Sequence, residues 1–211
     1  MDIFRPGGLD LTAKAAKYIG LKAGERVLDI GCGLGASLCF LRDNYNIEPS
    51  GLELNPETAK RAALNLGVDR IYCGDACELP FLAEAFDAVF MECVLTLIDE
   101  PAKALAEAAR VLSPGGHLVI SSLEGAAKLL EDGRIGRDAL TGKLEELGFE
   151  ILAVYDESAE LRRFVAEIIF EYDSIESYIE TANRELGGSV LSCDVPVKGT
   201  GYILVIARKK C

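Results

Sequence analysis

Three glycines alternate along the chain directly after a short apolar run in residues 26–37, which read RVLDIGCGLGAS. The apolar run predicts a buried strand, and Gly31, Gly33 and Gly35 predict a tight loop whose backbone can approach a ligand closely. A helix is predicted directly after this loop. Such a junction is typical of nucleotide-binding sites, because the loop amides and the helix N-terminus face the ligand.

Two classes of nucleotide are compatible with this loop. The spacing Gly31-x-Gly33-x-x-Ala36 matches the fingerprint of folds that bind dinucleotides such as NAD. The overlapping spacing Asp29-x-Gly31-x-Gly33-x-Gly35 is the pattern of proteins that bind S-adenosylmethionine. The loop by itself does not distinguish the two, so the choice depends on the segments that follow.

Polar residues suited to a nucleoside follow the next two predicted strands. Glu53 ends the second strand, 22 residues after Gly31, and a carboxylate there can accept hydrogen bonds from both ribose hydroxyls. Asp75, in the segment GDACELPF, can accept from an adenine amino group while the Ala76 backbone N–H donates to the ring. A dinucleotide also needs a second mononucleotide-binding half. The later segments contain no second glycine-rich loop, which favours S-adenosylmethionine.

Strand-like and helix-like hydrophobic patterns alternate through the first two thirds of the chain. This alternation predicts an α/β fold with a doubly wound, mainly parallel sheet and helices on both faces. The PGG at 114–116 is predicted to end the fourth helix before the fifth strand. Strands are predicted at 26–30, 49–55, 70–75, 86–93, 117–122, 149–157 and 201–209, and helices at 9–19, 33–43, 56–66, 101–112 and 138–147.

About 40 residues separate the last two predicted strands, far more than a hairpin needs. Two apolar stripes with helical spacing run through this segment. They have two interpretations: ordinary core packing, or the inner face of a helical lid at 158–199 over a substrate pocket. The stripes are Leu161, Phe164, Val165, Ile168 and Ile169, followed by Ile175, Tyr178, Ile179 and Ala182.

The composition limits the possible partners. A chain of 211 residues suits a single domain spanning 1–211. Its 34 acidic and 22 basic residues give a net charge of −12, which argues against nucleic acid as a partner. No apolar run approaches the roughly 18 residues that span a bilayer, and the first residues do not resemble a signal peptide. We therefore expect no membrane partner and a cytoplasmic location.

Metal ligands are sparse in the sequence. The seven cysteines are expected to be free thiols, since a cytoplasmic location disfavours disulfides. Cys73 and Cys77 form a lone pair with no second pair at zinc spacing, and His117 is the only histidine. The sequence predicts no metal site.

Five segments together resemble the successive motifs of class I S-adenosylmethionine-dependent methyltransferases. They are VLDIGCGLG, GLELNP, GDACELPF, FDAVFMECVL and RVLSPGGHLVIS. The resemblance is nearest to the group that includes quinone-biosynthesis and arsenite methyltransferases. It implies a Rossmann-like methyltransferase fold of seven strands whose last strand is antiparallel, with S-adenosylmethionine as the cofactor.

The resemblance also implies roles for individual residues. The glycine loop lies under the methionine part of the cofactor, and the end of strand four lies near its sulfonium. An N-terminal segment, 5–8, folds over the cofactor. The implied cofactor-binding residues are Asp29, Gly31, Cys32, Gly33 and Gly35 in the loop, Glu53 on the ribose, Leu54, Asp75 and Ala76 at the adenine, and Met91 and Glu92 at the sulfonium.

The expected reaction is methyl transfer to a small-molecule acceptor that the sequence does not identify. Two alternatives stay open: a non-catalytic or regulatory S-adenosylmethionine-binding protein, and methylation of a protein partner. Relatives often carry a histidine after strand four, where this chain has Val94-Leu95-Thr96-Leu97, so Glu92 is the candidate base. Cys93 and Cys193 would suit a trivalent arsenic substrate only if they meet, and otherwise cysteine acts as a small apolar residue.

Overall fold

The computed structural model describes residues 5–67, 69–125, 135–185 and 199–211. Within these ranges, seven strands form one sheet with the order β3-β2-β1-β4-β5-β7-β6. The strands are β1 (Arg26–Ile30), β2 (Glu48–Glu53), β3 (Ile71–Cys73), β4 (Phe86–Glu92), β5 (Leu112–Glu124), β6 (Phe149–Asp156) and β7 (Gly201–Lys209). The helices are α1 (Gly8–Ile19), α2 (Ala36–Tyr45), α3 (Pro56–Leu66), α4 (Pro101–Val111), α5 (Arg137–Glu146), α6 (Ser158–Tyr172) and α7 (Ile175–Glu185).

Strands β1 to β5 pair in parallel, whereas β7 pairs antiparallel with both β5 and β6. Helices α4 and α5 pack on one face of the sheet, and α1 and α2 pack on the other. The fold predicted from the sequence is therefore confirmed, including the antiparallel last strand. None of the helices in the described ranges is long and apolar enough to cross a bilayer.

Most predicted boundaries lie within two residues of the observed ones, and two differ by more. Helix α2 begins at Ala36 rather than Gly33, because Gly35 caps it with a left-handed φ of 81°. The PGG lies inside β5 and not before it, since α4 ends at Val111 and the strand continues from Leu112. The register against β4 shifts between Phe86 and Ala88, and this bulge accommodates the glycines within the strand.

Helices α6 and α7 form the connection between β6 and β7, and residues 186–198 of the predicted insert lie outside the described ranges. The two apolar stripes pack mainly on each other, through Ile168 on α6 and Tyr178, Ile179 and Ala182 on α7. The first half of α6 joins the body of the protein, where Leu161 and Val165 pack with Leu11 and Tyr202. A lid movement of this pair stays a prediction.

Candidate functional site

A cleft of about 690 Å³ opens at the carboxyl ends of β1, β2 and β4. Ligands bind at this edge in open α/β sheets, because the loops that leave neighbouring parallel strands separate there. The loop after β1 forms its floor, and the segments after β2, β3 and β4 form its walls. The acidic ends of β2 and β4 both reach the cleft.

The backbone of the glycine loop has a left-handed conformation that residues with a side chain rarely adopt. Gly31, Gly33 and Gly35 all have left-handed φ angles, at 73°, 54° and 81°. The amides of Gly31 and Cys32 donate to the Leu52 carbonyl at 2.8 and 3.0 Å, which ties the loop to β2. A Cβ on Gly31 would lie 2.8 Å from the Cβ of Val94. The loop therefore stays close to the segment after β4 only because it lacks side chains here.

The Glu53 carboxylate is fixed by the backbone at the end of β2. Its Oε2 accepts from the Gly33 amide at 3.0 Å, and its Oε1 accepts from the Asn55 amide at 3.0 Å. An ionised carboxylate has about four lone-pair sites, so two such bonds orient it and leave capacity for a ligand. A pair of hydroxyl donors is a suitable partner for this orientation.

The adenine side predicted from the sequence forms a compact turn after β3. Oδ1 of Asp75 accepts from the Cys77 amide at 2.8 Å, which leaves the second carboxylate oxygen for a ligand. Ala76 is buried beneath this turn. Across the cleft, Leu54 is 70% exposed and offers an apolar surface of the kind that a flat base covers.

Glu92, at the end of β4, belongs to a buried polar cluster with Arg5, Thr12 and Ser37. Arg5 Nη2 lies 2.8 Å from Glu92 Oε2 in an ion pair, and it also donates to the Thr12 and Ser37 hydroxyls. The Thr12 hydroxyl donates to Oε1 at 3.0 Å, and the Ser37 hydroxyl donates to Oε2 at 2.8 Å. Both oxygens of Glu92 are therefore engaged, and the cluster holds the N-terminal segment against the cleft.

Burial and charge act in opposite directions on the pKa of Arg5. Burial is the largest single influence on Arg5 and lowers its pKa, but the neighbouring acidic groups together, led by Glu92, outweigh it. The pKa of Arg5 is therefore raised and the guanidinium stays charged. Its second nitrogen, Nη1, is buried and has no hydrogen-bond partner among the described residues. Burial, followed by the charge of Glu92, raises the pKa of Asp29 well above its ordinary value.

Comparison with known proteins places this cleft in a family. A family model described as a methyltransferase domain matches residues 28–120, which run from within β1 to within β5 and include every lining residue of the cleft except Arg5. The matched residues form a domain of the class I S-adenosylmethionine-dependent methyltransferase type. An O-methyltransferase (cnsE) of Penicillium expansum is 28% identical, with 94% of this chain and 77% of the relative aligned.

Two further relatives bear on what such a methyltransferase does. An arsenite methyltransferase of Halobacterium salinarum is 28% identical over 86% of this chain, which spans about half (48%) of that relative. The crystal structure of the [4+2]-cyclase SpnF is 26% identical, with a TM-score of 0.75 over 95% of this chain and 80% of that one. Proteins similar to this chain therefore include a cyclase as well as methyltransferases.

The cofactor of the family is S-adenosylmethionine, and the residues present fit it. The anchored carboxylate of Glu53 matches two ribose hydroxyls, and the open glycine loop leaves room for the methionine part. The methionine carboxylate is an anion, and the Nη1 of Arg5, which has no partner in the described part of the chain, is a buried cationic donor at this end of the cleft.

Most of the residues predicted to bind the cofactor meet at the cleft. The exceptions are Asp29, Gly35 and Met91, which are not among its lining residues. Met91 packs in the core, because successive residues of β4 point to opposite faces. The residues that line the cleft are Gly31, Cys32, Gly33, Glu53, Leu54, Asp75, Ala76 and Glu92. Their individual roles stay predictions.

Sequence reasoning missed the hydroxyl partners of Glu92. Ser37 lies two residues after the last glycine of the loop, in the first turn of α2, and this position was the available signal. Thr12 lies on α1 beside the buried Ala15 and Ala16 and is itself fully buried. A single threonine on an apolar helix face indicates a buried hydrogen bond, because a buried hydroxyl requires a partner.

The thiols around the cleft have local roles. The Cys73 and Cys77 thiols donate to the backbone carbonyls of Leu54 and Glu100, at 3.5 and 3.6 Å. Burial raises the pKa of Cys93, and a raised pKa disfavours the thiolate that a metalloid would need. Cys193 lies outside the described residues. No group of three or more His, Cys, Asp or Glu residues in the described ranges could hold a metal ion.

Proposed function

We propose that this methyltransferase acts on a small organic molecule, with the cofactor held in the cleft between β1, β2 and β4. The proposal rests on one observation: two side chains in the same cleft are held in place and still have hydrogen-bonding capacity for a ligand. Glu53 is anchored by two backbone amides for the ribose, and the Nη1 of Arg5 is left for the methionine carboxylate. Both groups keep hydrogen-bonding capacity that their neighbours among the described residues do not use.

The chain's own residues bind, orient and exclude water. When bound, S-adenosylmethionine supplies a methyl group activated by its positively charged sulfur. Glu53 accepts from the ribose hydroxyls, and Asp75 with the Ala76 amide takes the edge of the base. Leu54 packs beside the adenine. Because the transferred group is already activated, the main task of the site is to bring the acceptor close in a dry environment.

Glu92 is proposed as a positioning residue in this site. Its oxygens accept from Arg5, Thr12 and Ser37, so its evident contact is with the segment that closes the cleft. The alternative, in which Glu92 accepts a proton from the acceptor, requires one of these donors to leave. The two roles predict different dependences of kcat on pH, because only a base must lose its proton before each turnover.

Helices α6 and α7 are proposed as a substrate lid, in line with the insert predicted at 158–199. The first turn of α6 is tied to β7, since the Ser158 hydroxyl accepts from the Tyr202 amide at 3.1 Å. Leu161 and Val165 hold the first half of α6 against the body of the protein, whereas Phe164, Ile168 and Tyr172 pack with α7. A pair of helices attached at one end can shift relative to the sheet, as lids in enzymes do.

A second candidate function is a reaction that uses this fold without methyl transfer. The similarity to SpnF, a [4+2]-cyclase that is 26% identical, favours keeping it. Methylation of a protein partner is a third possibility that the net charge of −12 allows, because an acidic enzyme can bind a basic peptide. The cytoplasmic location and the absence of nucleic-acid and membrane partners stay predictions from the sequence.

One experiment separates these candidates. The purified protein is incubated with methyl-labelled S-adenosylmethionine and with either a metabolite extract below about 3 kDa, a size smaller than folded domains, or the protein fraction of the same lysate. We expect S-adenosylhomocysteine and label in the small-molecule pool. Label in protein would support the partner-methylation alternative. Cofactor binding without turnover in either pool would contradict methyl transfer.

A further inference from the structure

A second cavity, which we call the α6 cavity, lies between the N-terminal residues 5–10 and the helices α6 and α7. Its volume of about 450 Å³ lies in the range of small-molecule pockets. The side chain of Arg5 lines both the α6 cavity and the cofactor cleft. A molecule in the α6 cavity therefore lies next to the cleft, at the end that we assign to the methionine part.

Aromatic rings form one wall of the α6 cavity. The rings of Phe164 and Tyr172 each pack edge-on against the ring of Tyr178, with centroids 5.6 and 5.4 Å apart. Ile168 completes this apolar wall. The faces of such rings attract a cation, and the attraction grows when the cation is removed from water.

Carboxylates dominate the rim of the same cavity. Four acidic residues line the cavity: Asp10, Glu160, Glu167 and Glu171. Two guanidinium groups, those of Arg5 and Arg163, also line it. Arg163 already lies 3.9 Å from Glu160 and 3.1 Å from Glu167. Asp10 and Glu171 have no ion-pair partner among the described residues, and the charge of Arg5 is balanced by Glu92. The rim therefore carries an excess of negative charge.

We propose that the α6 cavity binds the methyl acceptor, and that this acceptor is an organic amine with a cationic nitrogen and an apolar body. This inference rests on the proposed function, since it assigns the substrate class of the same site. The rim carboxylates attract the cation, and the aromatic wall holds the apolar body. Because an ammonium has no lone pair, the nitrogen would lose its proton to water at the open rim before reacting. Its lone pair would then form the bond to the methyl carbon as the carbon–sulfur bond breaks, with S-adenosylhomocysteine as the leaving group. An anionic acceptor such as a carboxylate or a phosphate would meet repulsion at Asp10 and Glu171.

The first test compares three probes of similar shape that differ in charge: phenethylamine, 2-phenylethanol and 3-phenylpropionate. Each is titrated by calorimetry into protein saturated with S-adenosylhomocysteine. We expect phenethylamine to bind at least about tenfold more tightly than 2-phenylethanol, and 3-phenylpropionate to bind most weakly. Raising the salt concentration should weaken only the phenethylamine binding, because the rim is exposed to solvent.

A matched pair of variants locates the effect. Glu171→Gln should weaken phenethylamine binding at least about threefold and leave 2-phenylethanol unchanged, since it removes one rim charge and keeps the shape. Glu145→Gln is the control, because Glu145 is an exposed acid on α5 that lines neither cavity and its loss changes the net charge equally. An equal effect of both variants would overturn the assignment of the rim.

The outcomes separate this inference from the proposed function. If S-adenosylhomocysteine itself does not bind, the proposed function fails. If S-adenosylhomocysteine binds to Glu171→Gln as tightly as to the parent, the cofactor site is intact. If 2-phenylethanol or 3-phenylpropionate nevertheless binds as tightly as phenethylamine, the acceptor class is wrong. If none of the three probes binds to the saturated protein, the α6 cavity is not the acceptor site.

Discussion

The Glu53 carboxylate offers the sharpest test of the site, because the backbone holds it in one orientation. It accepts from the amides of Gly33 and Asn55, both at 3.0 Å. Removing it by Glu53→Ala deletes the proposed acceptor of two ribose hydroxyls. Hydrogen bonds to charged groups contribute about 1.5–3 kcal/mol each, and water partly replaces a lost one at this half-buried position. We expect a net loss of about 2–3 kcal/mol of binding free energy.

This loss corresponds to a roughly 30- to 150-fold increase in the Kd of S-adenosylhomocysteine, measured by isothermal titration calorimetry. Glu53→Gln keeps one acceptor oxygen without the charge, so its Kd should rise by only about tenfold. Glu48→Ala is the control, since Glu48 lies at the opposite end of the same strand and pairs with Arg70. A Kd in Glu53→Ala within about threefold of the Glu48→Ala value would refute the ribose assignment.

Three further predictions concern the residues around Glu53. Gly31→Ala should destabilise the fold by about 2–5 kcal/mol in urea unfolding, from left-handed strain plus the clash with the Val94 side chain. Gly24→Ala, with φ of 81° but open space, should cost only about 1–2 kcal/mol, and equal costs would exclude the clash. Because the pKa of Asp29 is raised in the folded protein, the folded state still binds a proton above about pH 4 that the unfolded chain has released. The contribution of this proton to the free energy of unfolding is lost as the pH rises through the folded-state pKa. The melting temperature of Asp29→Asn should therefore increase relative to that of the parent as the pH is raised above about 4, and a constant difference would argue against the shift. Glu92→Gln should raise KM for S-adenosylmethionine and keep the shape of the kcat–pH profile, whereas loss of an acidic limb would identify Glu92 as a base.

Local sequence patterns were sufficient for the strands and for most of the cleft. Runs such as FDAVFME are apolar on both faces, so they predict a buried central strand, and parallel strands bring their carboxyl ends to one edge. For this reason the positions of Glu53, Asp75 and Glu92 along the chain already predict that they share one cleft. The direction of the last strand was predicted from the family resemblance and not from the pattern. The hydrophobic pattern of GYILVIARK is compatible with both a parallel and an antiparallel strand.

The features that the sequence did not predict depend on contacts between distant segments. Arg5 and Glu92 are 87 residues apart, and their pairing depends on how α1 packs over the end of β4. The α6 cavity likewise needs the N-terminal segment beside α6. Gly115 and Gly116 were predicted to separate the fourth helix from the fifth strand, because glycine often ends a helix. They lie inside β5, since the register shift against β4 lets the strand continue through them.

The most direct test of the account is a crystal structure of the protein with S-adenosylhomocysteine. We expect the ribose hydroxyls on the Glu53 carboxylate, the adenine between Leu54 and the turn at Asp75, and the methionine carboxylate on the Nη1 of Arg5. The acceptor side should face the α6 cavity. A ligand bound with its ribose away from Glu53, or with the Nη1 of Arg5 still without a partner, would contradict the site described for this methyltransferase.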